Sequence, residues 1–279
     1  MTSAPHCVAC GARLSGPYCS ACGEAAVHHD YSLKHFAEEA LETFAHVDGR
    51  FLSSFRSLLT RPGELAANFL AGRRRSQIGP LQIFVICNLI YFLVQPFTAF
   101  APFTSTLRMQ TTERSWRQLA TRMVATRVQQ RKTTFETYAT EFDHTAHLQG
   151  KSLVIVMVPL FALGSWALYG RRRRFYSEHV VAAFYTFAFV MLWMGFSTLV
   201  LSGPVIYAVR HQWSGDVIEN AASLLIVLPF AAYLFSTGRR VLSESWPRML
   251  ARTAVLTGWT FAVLTIYRCI LFFTTFYAT

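Results

Sequence analysis

An all-α fold that crosses a membrane several times is what this sequence predicts, and three observations carry it. Hydrophobic residues make up 53% of the 279 and charged residues only 15%, well under the quarter of an ordinary soluble domain. Five apolar stretches reach, or nearly reach, the ~20 residues a helix needs to cross a bilayer. Arginine and lysine concentrate in alternate loops between those stretches, as orientation in a membrane requires.

The first stretch, 80–100, reads PLQIFVICNLIYFLVQPFTAF and opens on Pro80. The second, 152–169, is short and carries Pro159 and Gly164. The third spans 180–202, the fourth 217–236 with Pro229 inside, and the fifth 253–277. Pro159 and Pro229 are candidate helix breaks of the kind transporters use, although isolated prolines are tolerated in membrane helices. No apolar core of the sort a signal peptide needs stands near the N-terminus, so none is expected.

The net charge is +11, and its distribution explains it. Arg73, Arg74 and Arg75 precede the first span, Arg171, Arg172, Arg173 and Arg174 separate the second from the third, and Arg239, Arg240, Arg248 and Arg252 separate the fourth from the fifth. The positive-inside rule then puts the N-terminus in the cytoplasm and the C-terminus outside. Arg73 to Arg75 and Arg171 to Arg174 set topology, and they are also placed to meet anionic lipid headgroups. Nucleic acid is not expected, because the basic residues flank the membrane instead of alternating with aromatics on a soluble module.

Four of the six cysteines form the pattern C-x2-C-x8-C-x2-C: Cys7, Cys10, Cys19 and Cys22, each pair followed by glycine. Such turns bring four sulfurs to one ion, with Gly11 and Gly23 taking up the backbone twist. The eight intervening residues cannot bury a core, so the metal must hold the module folded. Cytoplasmic thiols stay reduced, which favours structural zinc over two disulfides. Iron in a rubredoxin-like site is the other metal that accepts four thiolates. Four ligands leave no open position, so the site is structural and not catalytic, and His6, His28 and His29 are read as solvated.

A helical linker follows. Leu33, Phe36, Ala37, Ala40, Leu41 and Phe44 keep helical spacing behind Ser32 as N-cap. Asp48-Gly49 breaks the pattern. A second amphipathic piece carries Phe51, Leu52, Phe55, Leu58 and Leu59, and a third starts at Pro62 and ends at Gly72. Their apolar faces are expected on the inner leaflet or the base of the bundle, with a partner-docking surface as the alternative. The expected division is a four-cysteine module at 1–28, a linker at 29–78 and a five-span bundle at 79–279.

These features together resemble a bacterial family of multi-pass membrane proteins catalogued as domain of unknown function 3667. The likeness rests on the two C-x-x-C-G turns, His46, Asp48 and Gly49, the Arg61-Pro62-Gly63 triplet, the run Gly72 to Arg75, and Pro80. It covers roughly 7–100 and continues more weakly at 171–179. Where the family places a tyrosine after the basic run, this chain has Ser76-Gln77-Ile78. The resemblance implies a bacterial inner-membrane protein and no reaction.

The loop 101–151 is expected to be helical and extracytoplasmic, with Trp116, Leu119, Ala120, Met123 and Val124 on one face. His144 and His147, beside Asp143, are a weak metal signal. Polar residues inside the spans are few: Asn88 in the first, Glu219 at the outer end of the fourth, and Arg268 in the fifth, which either pairs with Glu219 or snorkels outward. No phosphate loop, H-E-x-x-H or G-x-S-x-G is present, so no enzyme is indicated. Two readings of function remain: a non-enzymatic scaffold or sensor whose zinc module contacts a cytoplasmic protein, or a channel, transporter or lipid-handling protein regulated by that module.

Overall fold

The computed structural model describes residues 6–24, 50–98, 103, 105–170, 175–210, 215–242 and 245–279, with the backbone alone at 205–210, 215–222 and 242. The expected helix at 32–44 lies outside these residues. So do Arg171 to Arg174 and the side chain of Glu219. Among the described residues there is no strand, and His6 and Arg13 form one isolated antiparallel bridge.

The helices are α1 (Arg50–Thr60), α2 (Glu64–Leu70), α3 (Pro80–Val94), α4 (Leu107–Thr112), α5 (Arg117–Arg131), α6 (Phe135–Leu153), α7 (Met157–Tyr169), α8 (Tyr176–Arg210), α9 (Gly215–Leu242) and α10 (Trp246–Ala278). Among the described residues, five helical runs are long and apolar enough to cross a membrane: Pro80–Phe97, Phe135–Tyr169, Tyr176–Pro204, Ser223–Val241 and Trp246–Ala278. The chain is therefore an all-α protein with the character of a membrane bundle.

Each span separates a packed face from a lipid-suited one. On the first run, Pro80–Phe97, Ile83, Phe84, Cys87 and Tyr91 are buried, whereas Val85, Leu89, Leu93 and Phe97 are exposed at four-residue intervals. The buried face meets α8, where Phe84 and Phe184 pack edge to face at 5.5 Å. Both faces are apolar, so shape and aromatic fit decide which one packs. On α7, Gly164 admits the indole of Trp259, whose Nε1 donates to the Leu160 carbonyl at 3.0 Å. Phe189 of α8 stacks on Tyr233 of α9 at 3.9 Å. Neither Pro159 nor Pro229 breaks its helix: Pro159 falls in the first turn of α7, where its missing N–H costs little, and α9 runs through Pro229.

One end of the bundle, the base, carries α1 and α2. The Ser54 hydroxyl accepts from the Ile78 N–H at 3.0 Å. Gln77 is buried and donates to the Leu65 carbonyl at 2.9 Å and to the Tyr185 hydroxyl at 3.3 Å. Tyr185 in turn donates to the Ile78 carbonyl at 3.0 Å. The stretch Ser76-Gln77-Ile78 thus receives an aromatic hydroxyl from α8. Leu58 and Ser54 face the bundle, and Leu52 and Leu59 do not.

The opposite end carries a helical cap. A 33-residue α10 is about 50 Å long, against about 30 Å of hydrocarbon, so its excess must project. Phe272 and Phe276 at that end join Leu107, Ala120, Val124, Tyr138, Phe142 and Ala146 in a second core. Residues 107–153 are mostly helical, and the last of these helices begins at Phe135 and continues through one 3-10 turn into the second span. Leu119 is half exposed, while Ala120 and Val124 form the packed face. The Asp143 Oδ1 accepts from the Leu107 N–H at 2.7 Å, satisfying an orphan donor at the start of α4. Asp143→Ala is expected to cost about 1 kcal/mol, the value of a lost cap, seen as faster hydrogen exchange across 107–112. Unchanged exchange there would sink the capping role.

Candidate metal centre and its seat on the bundle

Two identical local turns build the centre. In each, the first cysteine's carbonyl accepts from the glycine N–H four residues on: Gly11 to Cys7 at 2.9 Å and Gly23 to Cys19 at 2.6 Å. Its own N–H donates across the turn, Cys7 to Ala12 and Cys19 to Glu24, both at 2.8 Å. Both glycines sit in the left-handed region, at φ +76° and +70°, which explains why each C-x-x-C is followed by glycine.

The four sulfurs converge, all within 4.8 Å of one another. Cys7 and Cys22 are 3.6 Å apart, as are Cys10 and Cys19. A tetrahedron with metal–sulfur bonds of about 2.3 Å has edges of about 3.8 Å. The separations fit one tetrahedral ion and are far too long for disulfide bonds. The Ala9 N–H donates to the Cys7 sulfur at 3.4 Å, a contact that steadies a thiolate.

Charge sharing within the set points the same way. The N–H groups of Cys22 and Ala21 pull Cys19 from 9.0 down to about 6. Cys22 moves up to about 12: the Glu24 N–H favours its thiolate, but the Cys10 thiol, burial and the Cys7 and Cys19 thiols outweigh it. The thiolate is favoured at Cys19 and opposed at Cys22. A divalent cation removes that opposition, so all four residues are fit to hold one.

The module has a seat. Glu24, directly after the second turn, is buried, and its two carboxylate oxygens accept from the backbone N–H groups of Arg74 and Arg75 at 3.3 and 3.2 Å. Arg75 also donates to the Cys22 carbonyl. Arg74 lies over the Phe69 ring at 4.4 Å, and the Arg73 guanidinium donates to the Asn68 side-chain Oδ1 through two N–H groups at 3.1 and 2.7 Å. The run Arg73 to Arg75 therefore joins the module to the base of the bundle.

Residues 48–92 match the model of a family described as a protein of unknown function (DUF3667). That stretch comprises α1, α2, the basic run and most of α3, so the match covers the seat and leaves out the cysteines and 171–179. No curated protein and no solved structure matches the chain.

The intramembrane polar residues scatter. The Asn88 amide donates to the Lys151 carbonyl at 3.5 Å. Arg268 is partly buried under the cap, its carbonyl accepting from Gln110 at 3.5 Å. Sequence reasoning missed two features. Glu24 follows a metal turn, and nothing local marks it as the partner of a segment fifty residues away. Ser165 and His179 share a buried hydrogen bond of 2.9 Å beside a cavity of about 70 Å³ that Glu178 and Thr237 also line. Only a chain-order clue, a histidine entering a span, hinted at it.

Proposed function

We propose that the chain is an integral protein of a bacterial inner membrane, with five spans, a cytoplasmic N-terminus and an extracytoplasmic C-terminus. It acts as a non-enzymatic scaffold or sensor. Structural zinc holds the 6–24 module, which contacts a cytoplasmic protein. The observation that carries the reading is the buried Glu24 carboxylate on the Arg74 and Arg75 N–H groups, which ties the module to the span that follows. Val8 and Tyr18 support it further, being large apolar side chains left exposed among the described residues of the module. Arginines at the base agree with the orientation.

The test is crosslinking in living cells, affinity purification and mass spectrometry. It compares the native chain, Cys7→Ser/Cys10→Ser, and Tyr18→Ala at matched membrane levels. A soluble partner lost in both variants is the expected result. An unchanged partner list removes the docking reading. A channel, transporter or lipid-handling role then gains, for which the Ser165–His179 cavity inside the bundle is the supporting observation, and flux through vesicles carrying His179→Gln becomes the assay.

A further inference from the structure

The base of the bundle holds a second candidate site, distinct from the cysteines. Two cavities of about 360 and 390 Å³ meet there at Arg61, Glu64 and Asn68. Together they form one groove running from α1 across α2 to the end of α9. Among the described residues, four arginines line it, Arg56, Arg61, Arg73 and Arg240, against one carboxylate, that of Glu64. Serine and threonine hydroxyls of α1 fill the spaces between them.

The groove already handles one oxyanion. The Glu64 carboxylate accepts from the Ser57 hydroxyl at 2.9 Å and from Arg61 at 3.3 Å. It offsets one positive charge of four. Arg73 is bonded to the neutral Asn68 amide, which orients its guanidinium without cancelling its charge. Among the described residues, four arginines around open polar volume, with one internal acid, leave an excess of about three charges that an incoming anion can meet. Planar guanidinium forks suit phosphate oxygens better than any other common anion in a cell.

Its depth in the fold indicates the source. Arg240 belongs to the last turn of the fourth apolar run, which ends at Val241, so the groove opens at the membrane boundary. Beside it, Leu52 and Leu59 of α1 are 75% and 48% exposed and lie on one helical face. Apolar side chains beside a basic groove at that depth match a headgroup above and acyl chains below.

We propose that this groove binds the phosphate of an anionic phospholipid headgroup and thereby fastens α1, α2 and α9 to one lipid. The same donors would accept a soluble organic phosphate, so the test has an arm for each source. Full-length, metal-loaded protein in neutral detergent is titrated with phosphatidylglycerol, phosphatidylcholine or glycerol 3-phosphate, and bound species are read by native mass spectrometry. Phosphatidylglycerol is expected to bind in preference to phosphatidylcholine. Arg61→Gln/Arg240→Gln is expected to weaken it about tenfold or more. Glu64→Gln, which removes the internal competitor, is expected to tighten it several-fold, a gain that misfolding cannot mimic. Arg117→Gln/Arg122→Gln, on exposed positions of the cap, is the charge-matched control and is expected to change nothing. Equal lipid binding by the native chain and the Arg61/Arg240 variant overturns the proposal. Binding of glycerol 3-phosphate with no lipid preference, lost in that variant, overturns the lipid assignment and keeps the phosphate site. None of these readouts depends on the partner of the cysteine module, so each proposal fails by its own measurement.

Discussion

Cys19→Ser is expected to strip the chain of its metal, taking full-length purified protein from about one ion per chain to a small fraction, while the membrane bundle stays folded. The module has almost nothing else to hold it. Within 6–24 the buried side chains are Cys7, Cys19 and Glu24, two of them proposed ligands. Structural zinc in comparably small modules contributes roughly 10–16 kcal/mol of apparent binding energy at neutral pH, which is then the folding energy of the module. Serine keeps the size and loses the thiolate. Elemental analysis gives the metal content, and hydrogen exchange gives the fold: peptides across 6–24 should lose protection. Those across 72–78 should lose it partly, because Glu24 would no longer cap the Arg74 and Arg75 N–H groups. Cys87→Ser is the matched control, a buried bundle cysteine outside the cluster, and should leave metal content unchanged. Retention of a full metal complement by Cys19→Ser would rule out the four-sulfur site. The same elemental analysis of native protein separates zinc from iron.

What the sequence disclosed and what it concealed divide along sequence distance. The five spans were legible because a bilayer imposes a length and an apolar composition that each stretch shows on its own. The cysteine turns were legible because ligand spacing and the following glycine are local. The cap was legible only as a helical face, on which Ala120 and Val124 are packed and Leu119 is half exposed. A lone amphipathic helix does not reveal that α10 outruns the membrane and brings Phe272 and Phe276 to cover Ala120 and Val124. The seat was not legible at all. Glu24 meets residues fifty positions away through their backbone N–H groups, which every residue possesses, so no side-chain pattern records the contact. Arg73 to Arg75 read as topology or lipid contacts for the same reason. Their charge is visible in the sequence, and their engagement with Asn68, Phe69 and Cys22 is set by the fold.

Gly63→Ala is expected to destabilise the base of the bundle by about 3 kcal/mol, through two costs that add. Gly63 lies at φ +78°, where an alanine pays roughly 1–2 kcal/mol for its Cβ. That Cβ would also stand 2.8 Å from the Cα of Thr237 on α9. Backbone cannot swing aside as a side chain can, so the contact adds an overpacking cost of roughly 1–3 kcal/mol. Each member of the Arg61-Pro62-Gly63 triplet thus has a local task. Pro62 fixes the turn after α1, Gly63 makes the left-handed entry to α2 and admits α9, and Arg61 meets Glu64 at 3.3 Å in the first turn of α2. Gly79→Ala separates this from a generic glycine effect. Gly79 has φ −59° and nothing within 4 Å of an added Cβ, so its cost should stay within about 0.5 kcal/mol. Thermal unfolding of both variants in one detergent compares the totals, and hydrogen exchange across 50–70 locates the loss. If Gly63→Ala melts with the native protein, α2 does not pack on α9 through this glycine. The arginine groove loses its geometric basis with it, because Arg240 reaches Arg61 and Asn68 only across that junction.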